Sequence, residues 1–159
     1  MRGLKLFGFA FVAMASFLFI SCETSDDSDN MGSVENVEEV KSTVSTGTWL
    51  VALFEEDGID KTSDFSGFSF VFVASGELNA EDGETSVSGA WSITSESNSG
   101  DDDSSSDDDV DFNIFFSSPA KFAEISEDWE IVSFSSTRIE LKHVSGGDGS
   151  VDRLVFEKI

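Results

Sequence analysis

The pattern that most constrains this chain is an alternation of apolar and polar residues that recurs from residue 49 to the end. Phe68, Phe70 and Phe72 occupy every second position of one such run. Successive side chains of a β-strand point to opposite faces, so a period of two predicts strands that each bury one face. We place eight strands: one that begins with Trp49, Val51 and Leu53, and seven more at 68–73, 77–81, 86–93, 110–116, 129–134, 138–143 and 153–158.

Turn residues separate these runs. Ser75-Gly76 and Asp82-Gly83 flank the short third strand, and a Gly-Gly-Asp-Gly sequence at 146–149 joins the last two strands. Such pairs are typical of tight hairpins. Pro119, the only proline, opens a stretch through residue 126 that is long enough for a single helical turn. Short connections of this kind predict antiparallel neighbours.

A different period precedes the strands. Val34, Val37, Val40 and Val44 lie three or four residues apart, with glutamates between them. This spacing predicts a short amphipathic helix within 34–46, which leads into a domain at 47–159.

The strand pattern favours an all-β fold. Eight short antiparallel strands with tight turns fit an up-and-down barrel, whose closed sheet has no unpaired edge, and a two-sheet β-sandwich is the alternative. Eight strands enclose a space that side chains just fill or that holds one small ligand. The residues that we expect to line this interior are Trp49, Phe68, Phe70, Phe72, Phe112 and Ile114.

Gly47, Thr48 and Trp49 form a G-x-W motif on the first strand, just after the short helix. This motif and the strand arrangement over 47–159 resemble the small lipocalin-like lipoproteins of flavobacteria. The chain has no tyrosine and so lacks the T-D-Y motif of larger lipocalins, and its second G-x-W, at 89–91, lies outside the lipocalin signature. The resemblance implies a late arginine packed over the motif tryptophan. Arg153 matches best by position, and we predict that it stacks on Trp49 and closes one end of the barrel.

The first 21 residues have the order of a secretory signal. Arg2 and Lys5 precede an uncharged run at 6–20, which is shorter than the roughly 20 apolar residues that a spanning helix needs. The four residues Phe19, Ile20, Ser21 and Cys22 resemble the lipobox of bacterial lipoproteins. We therefore expect cleavage before Cys22, the only cysteine, and a durable membrane anchor through lipid on that residue. The alternative is ordinary signal peptidase cleavage after the A-x-A sequence at 13–15.

A polar, acidic segment follows the cysteine. Residues 22–33 contain no apolar run and are expected to be a disordered tether. Ser25, Asp26, Asp27, Ser28 and Asp29 resemble the acidic signal that exports bacteroidete lipoproteins to the outer face of the outer membrane. The resemblance implies a cell-surface location in a Gram-negative bacterium, and a merely soluble spacer is the alternative.

The charge balance excludes two classes of partner. Without Arg2 and Lys5, the chain after the signal has 7 basic and 32 acidic residues, a net charge of about 25 negative. Nucleic acids and anionic lipid headgroups are both recognised by basic patches. We therefore expect neither as a partner, and we interpret most acids as a solvated exterior.

Candidate metal and catalytic residues give weak patterns. The acidic loop at 101–109 lacks the ligand spacing of a calcium loop, so a solvated loop is favoured over a calcium site. Asp27, Asp29, Gly32 and Glu38 match four positions of an EF-hand loop, but Met31 occupies a ligand position. His143, the only histidine, is expected to be structural, and no phosphate loop or dinucleotide motif occurs. We expect no metal, no cofactor and no enzymatic activity.

We expect the barrel to bind a small apolar ligand, and a protein-binding module with a filled barrel is the alternative. A barrel with an interior void of about 300 Å³ or more would bind a small apolar ligand. A filled barrel would instead act through its outer surface, as a structural, inhibitor-type or other protein-binding module. The expected interior residues decide between them, because they line a void in the first case and pack against one another in the second.

Overall fold

The computed structural model describes residues 37–95, 110–147 and 149–159. Its strands are β1 (Trp49–Glu56), β2 (Ile59–Asp60), β3 (Ser69–Phe72), β4 (Glu77–Glu81), β5 (Ser86–Ser95), β6 (Val110–Phe115), β7 (Asp128–Phe134), β8 (Arg138–Val144) and β9 (Val151–Lys158). Its helices are α1 (Val37–Val44), α2 (Ala120–Ala123) and a 3₁₀ helix (Thr62–Phe65). The signal at 1–21, Cys22, the tether at 22–33 and the acidic loop at 101–109 lie outside the described residues.

The strands form one closed antiparallel barrel. Each strand from β3 to β8 pairs with the next along the chain, and β1 pairs with both β3 and β9. The closing ladder between β1 and β9 runs from the pair Trp49–Lys158 to the pair Glu55–Arg153. The ninth strand, β2, pairs only with the end of β1 and extends it as a hairpin. The predicted eight-stranded up-and-down barrel is confirmed, and the β-sandwich alternative is wrong.

The first strand departs from simple alternation. Val51 pairs with Phe156 and Leu53 with Val155, so Ala52 is an extra residue, a β-bulge. One extra residue moves the following side chains to the opposite face. The side chain of Phe54 is therefore fully buried, whereas that of Leu53 is only partly buried. The expected alternation from Trp49 through Leu53 fails at this bulge.

Short helices cover both ends of the barrel. At the end where β1 begins, α1 buries Val40 and Val44, and the predicted helix is confirmed over eight residues. At the other end, Phe65 of the 3₁₀ helix and Phe122 of α2 make an edge-to-face contact with ring centres 5.4 Å apart. Within the described residues, no helix is long and apolar enough to cross a membrane.

Candidate functional site

The six expected interior residues are all buried within the core. Phe72 lies at the centre of this group, and its ring contacts those of Trp91, Phe112 and Phe156 at centre distances of 5.4, 5.6 and 5.4 Å. All three contacts are edge-to-face, the geometry that aromatic rings prefer in packed interiors. The centre of the barrel is therefore occupied by rings from four different strands.

A second group of rings fills the end of the barrel that α2 covers. Phe122 projects from α2 and contacts Phe68 at 5.1 Å, Phe116 at 4.9 Å and Phe70 at 6.1 Å between ring centres. Phe70 also contacts Phe156 of the central group, at 5.4 Å. The two groups are thus continuous. The sequence did not reveal Phe122 as an interior residue, because it lies outside the strands and has no strand period.

The other end of the barrel is organised around Trp49. Its indole nitrogen donates a hydrogen bond of 2.9 Å to the carbonyl oxygen of Val44, which ties the first strand to α1. The Lys158 ammonium lies 4.6 Å from the Trp49 ring centre and donates hydrogen bonds to the Thr43 carbonyl and the Thr46 hydroxyl. The last strand, the first strand and α1 therefore meet at this point.

Gly47 allows this arrangement. Its φ of +78° turns the chain from α1 into β1, a conformation that residues with a side chain rarely adopt. A Cβ atom there would lie 3.2 Å from the Lys158 Cδ atom, so the missing side chain also leaves room for the lysine. The Gly and Trp of the G-x-W motif thus act together to close this end of the barrel.

Arg153 does not stack on Trp49, and that prediction is wrong. Arg153 lies opposite Glu55, six residues along β1 from Trp49, a separation of about 20 Å at the usual rise per residue. It forms an ion pair of 2.7 Å with Glu140, and this hydrogen bond raises the pKa of Arg153. The register of the closing ladder gives the position over the ring to Lys158 instead.

The second G-x-W sequence, at 89–91, contributes to the packing of the core. A Cβ atom on Gly89 would lie 2.3 Å from the Phe115 carbonyl oxygen and 2.6 Å from the ring of Phe116. Gly89 therefore lets β5 and β6 approach closely enough for Phe116 to enter the core. Trp91 donates a hydrogen bond of 2.8 Å from its indole nitrogen to the Val73 carbonyl, which fixes the turn between β3 and β4.

The histidine lies in the barrel wall. His143 Nδ1 is 3.1 Å from the carbonyl oxygen of Asp128, and the imidazole packs edge-on against Trp129 with ring centres 6.1 Å apart. Across the last hairpin it faces Asp152, whose carboxylate accepts a hydrogen bond from the Asp57 backbone. Within residues 37–95, 110–147 and 149–159, no cluster of His, Cys, Asp and Glu is arranged to hold a metal ion. Of the EF-hand-like residues, Asp27, Asp29 and Gly32 lie outside these ranges.

A groove lies beside α1, at the end of the barrel that this helix covers. Its volume is about 630 Å³, and it separates α1 from the turn between β3 and β4 and from one end of β5. The lining residues are Glu38, Lys41, Ser42, Ser45, Thr46, Ala74, Ser75, Gly76, Trp91, Ser92 and Ile93. The lining combines hydroxyl groups, one ion pair and an apolar floor, a combination that suits a small ligand with polar and apolar parts. Sequence reasoning missed the groove, because only the packing of α1 brings these segments together.

Comparisons with protein-family models, with curated proteins and with solved structures find no match to this chain. The class of this protein is therefore assigned from its architecture alone. The described residues form a small closed β-barrel with a helix over each end.

Proposed function

We propose that this chain is a lipid-anchored lipoprotein, exposed at the cell surface of a Gram-negative bacterium, whose lipocalin-like barrel binds another macromolecule through its outer face. The proposed lipid anchor rests on Cys22, and the proposed cell-surface location rests on the acidic residues that follow it. The mode of binding rests on the interior of the barrel.

The observation that carries the binding mode is the continuous packing of aromatic rings around Phe72 and Phe122. The ring contacts run from the centre of the barrel to the end that α2 covers. An apolar ligand inside the barrel would have to displace these rings, and each large buried aromatic contributes several kcal/mol to stability. A filled interior therefore favours recognition at the outer surface.

A second candidate is binding of a small ligand in the groove beside α1. Its volume of about 630 Å³ lies within the range of ordinary ligand sites. This candidate keeps the small ligand of the sequence-based hypothesis and moves it from the centre of the barrel to the groove beside α1.

The anchor is tested by expressing the full chain and its Cys22→Ser variant in a Gram-negative host fed with a labelled fatty acid. We expect label on the parent chain and none on the variant. A C-terminal tag, detected after protease treatment of intact cells, tests the cell-surface location. Digestion of the tag supports exposure, whereas full protection in intact cells and digestion only in lysed cells would exclude it.

The binding mode is tested on the mature protein, extracted from its membrane with detergent and examined by native mass spectrometry. Outer-surface binding predicts a barrel free of bound apolar molecules. A stoichiometric apolar molecule that stays bound would overturn this mode and favour a ligand inside the barrel. A bound molecule that is released by a Ser42→Trp substitution, which narrows the groove, would favour the second candidate.

A further inference from the structure

The basic residues of this chain are strongly segregated. No Lys, Arg or His occurs between Lys61 and Lys121, a stretch of 59 residues that contains 13 Asp and Glu. The four strands β3, β4, β5 and β6 all belong to this stretch, and they are consecutive neighbours in the barrel. One contiguous half of the barrel wall is therefore built from strands without a single basic residue.

The basic residues that follow the signal lie on the rest of the molecule, and each is engaged within its own chain. They lie on α1, between β2 and the 3₁₀ helix, on α2, and on β8 and β9: Lys41, Lys61, Lys121, Arg138, Lys142, Arg153 and Lys158. Their ammonium and guanidinium groups form ion pairs, hydrogen bonds or ring contacts. None of these described cations belongs to β3, β4, β5 or β6, so the ionisable side chains that these four strands contribute to their outer face are all acidic.

An aromatic side chain stands out on this face. Phe115 is 61% exposed, although the next residue, Phe116, is buried in the core. Phe115 pairs with the exposed Ala90 on β5, and Ala90 pairs in turn with Glu77 on β4. With strands about 4.8 Å apart, Glu77 lies two strands, or about 10 Å, from Phe115 and on the same outer face of the sheet.

We propose that the outer face of β3 to β6 docks a positively charged segment of another protein, with Phe115 as the anchor. A lysine or arginine of the partner would lie over the Phe115 ring, where the negative face of the ring attracts a cation. The carboxylate of Glu77 would pair with the same or a neighbouring cation, and the small side chain of Ala90 leaves the ring accessible. Charge complementarity determines the class of partner, because an anionic surface would be repelled by this half of the barrel.

This inference rests on the proposed function. It adds the class of partner and the surface that binds it. The test uses the full mature protein in detergent and a synthetic peptide that alternates lysine and alanine. A peptide of the same length that alternates glutamate and alanine is the matched probe. We expect binding of the lysine peptide, weakening as salt is added, and no binding of the glutamate peptide. Equal binding of both peptides would overturn the proposal.

The surface is tested with Phe115→Ser and Glu77→Lys, each of which we expect to weaken lysine-peptide binding about tenfold, as truncation of an interface anchor does. The matched control is Val144→Ser, which removes an apolar side chain of similar exposure, 52%, from β8. This control is expected to bind like the parent. Because Phe115 and Glu77 are exposed, the variants should keep the thermal transition of the parent, which circular dichroism verifies.

Two further measurements test whether the lysine peptide binds to the outer face of β3 to β6 or to the acidic loop, and whether the site recognises a polypeptide. Replacing the six aspartates at 101–109 with serine should reduce the affinity less than Phe115→Ser does. A larger loss at the loop than at Phe115 would overturn the proposal. Spermine serves as the small-cation probe, and if it displaces the peptide completely at equal charge concentration, the site recognises free polyamines and not a polypeptide.

The inference and the proposed function fail in different ways. A photoreactive amino acid placed at position 115 or at position 144 reports on both in intact cells. Protein cross-links at 144 but none at 115 would overturn the surface inferred here and leave the proposed function standing. Cross-links at neither position, together with peptide binding that depends on Phe115, would count against the proposed function and not against the chemistry of the face. Cross-links at 115 to a protein with a basic segment support both.

Discussion

The ammonium group of Lys158 lies over the indole ring of Trp49, 4.6 Å from its centre, at the point where the last strand closes on the first. The same ammonium donates hydrogen bonds to the Thr43 carbonyl and the Thr46 hydroxyl. One side chain therefore joins both ends of the barrel sheet to the helix that covers them. Contacts of this kind close a barrel because they connect segments more than a hundred residues apart.

Replacing Lys158 with methionine should destabilise the barrel. Methionine keeps much of the apolar stem that packs beside Gly47 but removes the charge over the ring and both hydrogen bonds. We expect a loss of about 1–2 kcal/mol in the free energy of unfolding, the range for a partly desolvated cation–π contact with its hydrogen bonds. Chemical denaturation monitored by tryptophan fluorescence measures this change.

The control for that substitution is Arg153→Met on the same strand. Arg153 pairs with Glu140 at the exposed surface, where ion pairs contribute little. We expect the Arg153 variant to unfold close to the parent. A larger loss for Arg153→Met than for Lys158→Met would contradict the role given to Lys158.

Gly89→Ala should be among the most damaging small substitutions in the described chain. The added methyl group would meet the Phe115 carbonyl at 2.3 Å, and a backbone atom cannot move aside as a flexible side chain can. We expect a loss of about 3 kcal/mol, at the upper end of the usual cost of overpacking. Gly146→Ala is the matched control, since nothing lies within 4 Å of its added carbon. Thermal melts of the two variants that coincide would refute the close approach of β5 and β6.

Phe72→Ala should create a cavity in the centre of the barrel, at the position of the removed ring. Removing a fully buried phenylalanine costs about 3–5 kcal/mol, and the space left between Trp91, Phe112 and Phe156 is apolar. Such cavities stay dry and bind small apolar molecules. We expect benzene to raise the melting temperature of the variant and to leave that of the parent unchanged. Phe72→Leu is the matched control, because the small space that it leaves would not hold benzene.

The turn between β4 and β5 should depend on pH through Asp82. Backbone N–H groups of Thr85 and Glu84 donate to its carboxylate and lower its pKa below the ordinary value of 3.8. A group with a lowered folded pKa stabilises the fold above its unfolded pKa and loses this contribution as the pH falls through the folded value. We therefore expect Asp82→Ala to destabilise the chain at pH 7 and to differ less from the parent near pH 3. An effect of equal size at both pH values would show that the charge of Asp82 does not support the turn.

Much of the fold follows from local sequence. The period of two locates each of the eight barrel strands to within a few residues, and the valine spacing locates α1. These signals are local because the direction of a side chain depends on its own backbone and on few neighbours. The two-residue strand β2 and the 3₁₀ helix escaped prediction because both are too short to show a period.

The candidate surfaces required the tertiary structure. Sequence position favoured Arg153 over Trp49, but the register of the closing ladder selected Lys158, and an extra residue at Ala52 changed which side chains face inward. The exposure of Phe115 beside the buried Phe116 likewise depends on how β5 and β6 pair.

The sequence by itself determined that this chain forms a β-sheet of alternating faces behind a short helix. It also determined that the chain carries a large excess of negative charge. Only the tertiary structure decided that Phe122 enters the barrel and that four strands without basic residues become neighbours in the wall. The physical reason is range: strand periods arise from neighbouring residues, whereas closure, register and the filling of the interior arise from contacts between segments far apart in the chain.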